Sequence, residues 1–323
     1  MPDLAHLNTA LLDRMPAQSA AEVKPLLRVL NVAELLRLDL PPREMVLAPW
    51  LPSKGLAMAY GPRGIGKTHL TLGIGYAVAS GGMFLRWRAP MARKVVILDG
   101  EMPAGVLKDR LAVIVASAPT ELPHPDFLRI VAMDLQEGDI DLANDADQRA
   151  LDPILADAEL VIVDNISTLA RVGRENEAES WLPIQQWALM QRRAGRTVLF
   201  MHHAGKGGQQ RGTSRREDVL DTVLALRRPQ DHRPDEGARF ELHFEKNRGF
   251  HGDDAKPFEA ALGSGGWSTR DLADADMARV VALSAEGMTT RDIAEEMGKS
   301  KSAVSRLQKK ARDAGLTGDA GHA

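Results

Sequence analysis

Gly61-Pro62-Arg63-Gly64-Ile65-Gly66-Lys67-Thr68 has the spacing G-x-x-x-x-G-K-[ST]. Glycines there let the backbone curl until successive N–H groups point at one spot, a nest for phosphate oxygens. A helix starting at Lys67 adds the positive end of its dipole. Lys67 would reach the β- and γ-phosphates of a nucleoside triphosphate and the Thr68 hydroxyl a Mg²⁺ ion, with the binding run ending at His69. Further along, Leu160-Val161-Ile162-Val163 is an apolar run closed by Asp164, where a second Mg²⁺-organising acid, acting through water, belongs. Asn165 follows rather than a glutamate, so a group to orient or deprotonate water must come from elsewhere. Val95-Val96-Ile97-Leu98 runs into Asp99-Gly100-Glu101 and offers two carboxylates at a strand end. Glu101, which projects past the strand, is the favoured base and Asp99 the local competitor. A third apolar run, Thr197–Met201, ends in His202-His203. A polar residue there could feel a γ-phosphate, although paired histidines are also metal ligands or plain surface polarity.

The elements that must hold these residues alternate in type. Strands are expected at 56–60, 94–98, 127–133, 160–164 and 197–202, and helices at 31–38, 67–80, 103–117, 147–156 and 178–193. Such βαβα order points to an α/β fold, a mostly parallel sheet covered by helices. After Asp218 the pattern turns to strands alone, at 222–227, 239–246 and 257–261, read as antiparallel additions at the sheet's edge. Gly263-Ser264-Gly265-Gly266 reads as a turn or linker. The chain divides on this reading into a lead-in (1–50), an ATPase-type domain (51–265) and a helical module (274–318).

Composition excludes several classes. The 323 residues include no cysteine, which removes disulfides, thiolate metal sites and cysteine nucleophiles. No apolar run is long enough to span a bilayer, and the first residues lack a basic start followed by an apolar core. A cytoplasmic protein is expected, with no membrane contact. Net charge is −3, so any nucleic-acid binding must come from local patches. Two acid-free basic stretches qualify, Gln191–Arg216 and Lys299–Arg312.

The runs GPRGIGKT, LDGEMP, LVIVDN and LFMHHAGKGGQQRGTS resemble the RecA-like ATPases of the DnaB superfamily, and within it the RepA-type hexameric replicative helicases of plasmids and phages. The resemblance covers about residues 31–262. It implies a RecA-like P-loop core with ATP and Mg²⁺ as cofactors. Lys67 and Thr68 would bind phosphate and metal, Glu101 would activate water and Asp164 support Mg²⁺. His203, rather than His202, would sense the γ-phosphate. Arg211 and Arg248 would reach a neighbouring subunit's ATP, and Lys206 and Arg215 would grip single-stranded DNA in a central channel. Arg248 is equally well a surface charge at a strand end. No DnaB-like N-terminal helical domain is visible.

The C-terminal stretch reads as three short helices, at 278–285, 290–297 and 301–312. Ile293, Ala294, Met297, Gly298, Val304 and Leu307 carry helix-turn-helix spacing, although Lys299 stands where an apolar residue is usual. The third helix would offer Lys301, Ser302, Ser305 and Arg306 to a duplex groove, with Lys309 and Lys310 near phosphates. The alternative is a three-helix protein-interaction module. Together these features point to an ATP-dependent DNA helicase or translocase, a homo-oligomer and by resemblance a hexamer, replicating a plasmid, phage or mobile element. An ATP-switched DNA-binding regulator and a RadA- or RecA-like recombination ATPase are the other two readings.

Overall fold

In a computed structural model, residues 28–40, 42–170, 178–205, 218–314 and 316 are described. The chain divides at Pro42 into two units. The described residues of the first include a short helix, α1 (Val32–Leu36), closed at its start by Asn31 and Glu34 in a capping box.

The second unit opens with a small hairpin, β1 (Met45–Leu47) and β2 (Leu51–Pro52), and then alternates. β3 (Leu56–Gly61) leads into α2 (Lys67–Ser80), a second small hairpin follows in β4 (Met83–Phe84) and β5 (Trp87–Arg88), and β6 (Val95–Asp99) precedes α3 (Ala104–Ser117). Next come β7 (Leu128–Ala132), α4 (Asp145–Leu155), β8 (Leu160–Asp164), α5 (Ile166–Leu169), α6 (Ala178–Arg193) and β9 (Thr197–His203). The strands β10 (Thr222–Arg227), β11 (Arg239–Asn247), β12 (Phe258–Gly263) and β13 (Gly266–Asp271) complete one sheet, ordered β13-β12-β11-β10-β3-β9-β8-β6-β7.

The central strands are apolar throughout because both faces are covered. One face packs on α2 with Trp50 and Trp87; the other packs on α4 and α6 with Leu151, Leu155, Trp181 and Trp187. α2 is buried almost all round, which is why its apolar residues form no stripe. Gly73 lies so close to the Phe84 ring that a Cβ would sit 2.1 Å from it, so the helix can approach the β4–β5 hairpin only with glycine there.

One expectation is corrected. β10 is not an antiparallel addition to the central sheet: it runs parallel to β3, with Thr222 opposite Ala57 and Ala225 opposite Tyr60. β10 therefore starts at the same edge as β3. Only β11, β12 and β13 are antiparallel additions. Of the two readings of the Gly263–Gly266 run, turn and linker, the structure forms the turn: it joins β12 and β13, and β13 extends to Asp271.

The C-terminal module follows without a gap as α7 (Leu272–Ala285), α8 (Thr290–Glu296) and α9 (Lys301–Asp313). Val280, Ile293, Ala294, Met297 and Val304 form its core, with Leu283, Met288 and Leu307 against it. Gly298 takes φ +58° in the turn between α8 and α9, a left-handed conformation that disfavours a side chain. The Lys299 ammonium pairs with Asp276 of α7 at 2.8 Å, which explains a cation at a position usually apolar.

Candidate active site

Parallel register assembles the site. Gly61 stands opposite His203, and Asp99 opposite Asp164, at the carboxyl ends of β3, β9, β6 and β8. Four segments distant in sequence therefore deliver their last residues to one edge. The loop after β3 curls there, with Gly64 at φ +71° and Gly66 at φ +110°, and α2 starts at Lys67. A cleft of about 320 Å³ is lined by Gly64, Gly66, Lys67, Thr68, His69 and Glu101, and also by Met102, Arg110, Asp164, His203, Gly237 and Ala238.

The Lys67 ammonium folds back on the loop and donates to the carbonyls of Gly61 (3.1 Å) and Pro62 (2.9 Å). Burial lowers its pKa to about 8, against the opposing pull of Asp164 and Glu101. Burial likewise raises Asp164 to about 7, with the neighbouring Asp99 carboxylate as the second cause. Oδ2 of Asp164 and Oδ2 of Asp99 are both buried without a hydrogen-bond partner among the described residues. A buried amine held only by carbonyls and two under-satisfied buried carboxylates are costly in isolation. Phosphate oxygens and a divalent cation would supply the missing partners, so the donor set fits a Mg²⁺-bound nucleoside triphosphate. Lys67, the loop amides and Thr68 would hold its phosphates and metal, with Asp164 behind the metal.

The two carboxylates after β6 separate by task. Asp99 is buried, and its Oδ1 accepts from the backbone N–H groups of Glu101 (3.1 Å) and Met102 (2.8 Å), fixing the turn. The Glu101 side chain is 44% exposed and faces the cleft. His203 is nearly buried, with Nε2 3.6 Å from Glu101 Oε2 and 3.3 Å from Asn165 Nδ2. Asn165 donates from the same Nδ2 to Glu101 Oε2. His202 sits opposite Tyr60, one residue earlier in the register, so it faces the other side of the sheet. His69 lines the cleft with its pKa lowered by burial, and secondarily by Arg110, to about 4, so the ring is neutral at ordinary pH.

Other sequence-derived candidates lie elsewhere. Arg248 is exposed just past β11, where its N–H donates to the Asp221 carbonyl at the sheet's amino edge, opposite to the cleft. The structure does not bring Arg248 to its own chain's site. Lys206, Arg211 and Arg215 fall outside the described residues. Lys301, Ser302, Ser305 and Arg306 are all exposed on α9, whose inner face buries Val304 and Ala311.

Several residues of the site escape a reading of the sequence. Asn165 carried a signal, a polar residue at the end of an apolar strand. Arg110 carried a weaker one, standing three residues after the buried Leu107 on the same helical face. Gly237 and Ala238 carried none, because the antiparallel return of β11 brings them to the glycine loop from far along the chain. Arg228 was also missed: just past β10, it donates from Nη2 to the Arg63 carbonyl (3.1 Å).

Comparison with known proteins bears on the fold and the family. No curated protein sequence matches the chain. Among solved structures, a KaiC-like protein from the hyperthermophilic archaeon Pyrococcus horikoshii superimposes with a TM-score of 0.50 at 16% identity, over 70% of this chain and 93% of that one. The likeness is one of fold, a RecA-like core. Residues 278–318 match a homeodomain-like domain, which gives the three C-terminal helices the character of a helix-turn-helix DNA-binding module. No helix among the described residues is long and apolar enough to cross a membrane. An AAA domain matches residues 21–209, more than half of the chain, and the protein belongs to that family of P-loop ATPases.

Proposed function

We propose that this protein is an ATP-hydrolysing DNA motor, a helicase or translocase of the DnaB superfamily and RepA type, working as a homo-oligomeric ring on a plasmid, phage or other mobile replicon. The observation that carries the reading is the convergence of Lys67, Glu101, Asp164 and His203 at one cleft, with a helix-turn-helix module on the same chain.

When bound, ATP with Mg²⁺ supplies the phosphoanhydride bond whose hydrolysis drives the cycle. Lys67 swings from the Gly61 and Pro62 carbonyls to phosphate and keeps its charge once it gains that counter-ion. Asp164, raised to about 7 by burial, would be the carboxylate that supports Mg²⁺, and the cation's charge would favour its ionised form. Glu101 orients water from the exposed side of the cleft and takes its proton. His203 reads the γ-phosphate. Arg248, remote from its own cleft, acts on a neighbour's nucleotide, as does Arg211; a cation donated across an interface stabilises transition-state charge and makes turnover depend on the ring. Lys206 and Arg215 hold single-stranded DNA by its backbone in the channel. The module presents Lys301, Ser302, Ser305 and Arg306 to duplex DNA.

One observation favours a second reading, an ATP-switched DNA-binding regulator. The segment after β10 touches both the glycine loop and the C-terminal module: Arg228 bonds the Arg63 carbonyl, and the Gln230 amide lies against Gly298 in the helix-turn-helix turn. A nucleotide bound at the loop would be felt at the module. Strand displacement on a forked duplex separates the readings. ATP-dependent unwinding supports the motor; duplex affinity that changes with nucleotide while no strand is displaced supports the switch.

A further inference from the structure

Asn165 stands at the N-cap of α5, where asparagine is favoured because its side-chain oxygen accepts from the next turn's free N–H groups. Here it makes no such bond. Its carbonyl still accepts from Thr168 and Leu169, so the cap residue is in place and the side chain has turned away. The residue is fully buried, and Nδ2 points at Glu101 Oε2 and His203 Nε2. A carboxylate only accepts, so the amide edge facing Glu101 must be the NH₂ and the orientation of the group is fixed. Oδ1 is left buried with no hydrogen-bond partner among the described residues. A capping interaction is forgone and an oxygen stranded for the sake of one contact.

We infer that Asn165 is a positioning residue for ATP hydrolysis: it fixes one oxygen of Glu101 so that the other is presented to water, and it ties that carboxylate to His203. The inference rests on the reading of Glu101 as the water-activating base. Glu101 needs such a tether. Its side chain is 44% exposed, and a half-exposed glutamate otherwise samples several rotamers. A neutral amide suits the task, since a cation would pin Glu101 too strongly for it to accept a proton. Through the shared Nδ2, a movement of His203 reaches Glu101 across a single side chain.

The test is ATP turnover, and nucleotide affinity measured with a fluorescent ATP analogue, for the wild type, Asn165→Ala and Asn165→Asp, alone and combined with Glu101→Gln. Misplacing a reacting group by about 1 Å costs on the order of 10²-fold. Asn165→Ala is expected to lower kcat by roughly 10- to 100-fold, with KM and analogue affinity within about threefold of wild type. Asn165→Asp keeps the buried shape but sets two carboxylates face to face, and is expected to lose at least as much; its melting temperature shows that the fold survives. In the Glu101→Gln background, single-turnover hydrolysis is expected to show no further loss from Asn165→Ala, because the residue acts through Glu101. Unchanged or raised kcat in Asn165→Ala would overturn the inference. So would an equal fold-loss in the Glu101→Gln background, the mark of a purely structural role. A wild type with no turnover on any DNA would instead remove the ATPase reading on which the inference stands.

Discussion

The cleft and the C-terminal module treat their charges in opposite ways. At the cleft Lys67, Asp99 and Asp164 are buried, and the two carboxylates each keep an oxygen without a partner. In the module two of the three helices are capped at their starts, Thr289 and Asp292 forming a capping box at α8 and Ser300 capping α9, and the basic residues of α9 lie in solvent. Buried charges that lack partners cost free energy, whereas the module's exposed charges cost little. Chemistry that needs a dry, preorganised field is built into the core, whereas recognition of a duplex needs only a rigid, well-capped scaffold.

Five variants probe this contrast, from the largest effect to the smallest. Glu101→Gln should lower turnover by at least 10²-fold, since general-base catalysis is worth about 10²–10⁴, and leave ATP-analogue binding intact by titration. Comparable turnover would relocate the base. Ile293→Ala opens a hole in a core of five buried side chains and should destabilise the module by about 3 kcal/mol. Duplex binding in a gel-shift assay should fall with it, while ATP turnover without DNA stays at the wild-type level. A parallel loss of turnover would show that the module and the cleft are one cooperative unit.

The third variant is Asp164→Asn. Burial holds the Asp164 carboxyl protonated up to about 7 in the fold, while an unfolded chain ionises it near the usual aspartate value. The native state thus binds more protons between about pH 4 and 7, and nucleotide-free protein loses stability as pH rises through that window. Lys67, lowered to about 8, acts in the other direction: the unfolded chain holds more protons between about pH 8 and 10.5, so stability returns as pH rises there. Asp164→Asn should melt higher than wild type at pH 8, with a flatter slope between pH 4 and 7, and should lose turnover. An unchanged slope would mean that Asp164 is ionised in the free protein. Last, Arg306→Ala or Lys301→Ala should weaken duplex binding by about 1 kcal/mol and reduce its salt slope by about one, read from affinities at several salt concentrations.

Much of this was legible in the sequence because the elements carry strong, redundant signals. Leu160–Val163 and Val95–Leu98 are apolar on both faces, which a buried parallel strand requires, and the glycine run before Lys67 names its own ligand class. The antiparallel edge past β10 was legible too, from strands with no helices between them. The direction of β10 was not, since a run such as Thr222–Leu226 reads identically in either sense and only its partner decides. The small hairpins β1–β2 and β4–β5 were missed because two- and three-residue strands have no periodicity to read. Within the cleft, residues delivered by a strand end next to a motif were visible. Those delivered by register from afar, Ala238 above all, were not. Asn165 lay in plain view, and its local preference, a helix cap, concealed a tertiary one.

The central claim is that Glu101, at the edge shared by β3, β9, β8 and β6, drives ATP hydrolysis coupled to DNA. Steady-state ATP hydrolysis with Mg²⁺, measured with no DNA, single-stranded DNA and duplex DNA for wild type and Glu101→Gln, tests it most directly. The account predicts turnover raised several-fold by single strands and abolished in the variant. Nucleotide binding with negligible turnover on every DNA, or turnover indifferent to Glu101→Gln, would contradict it.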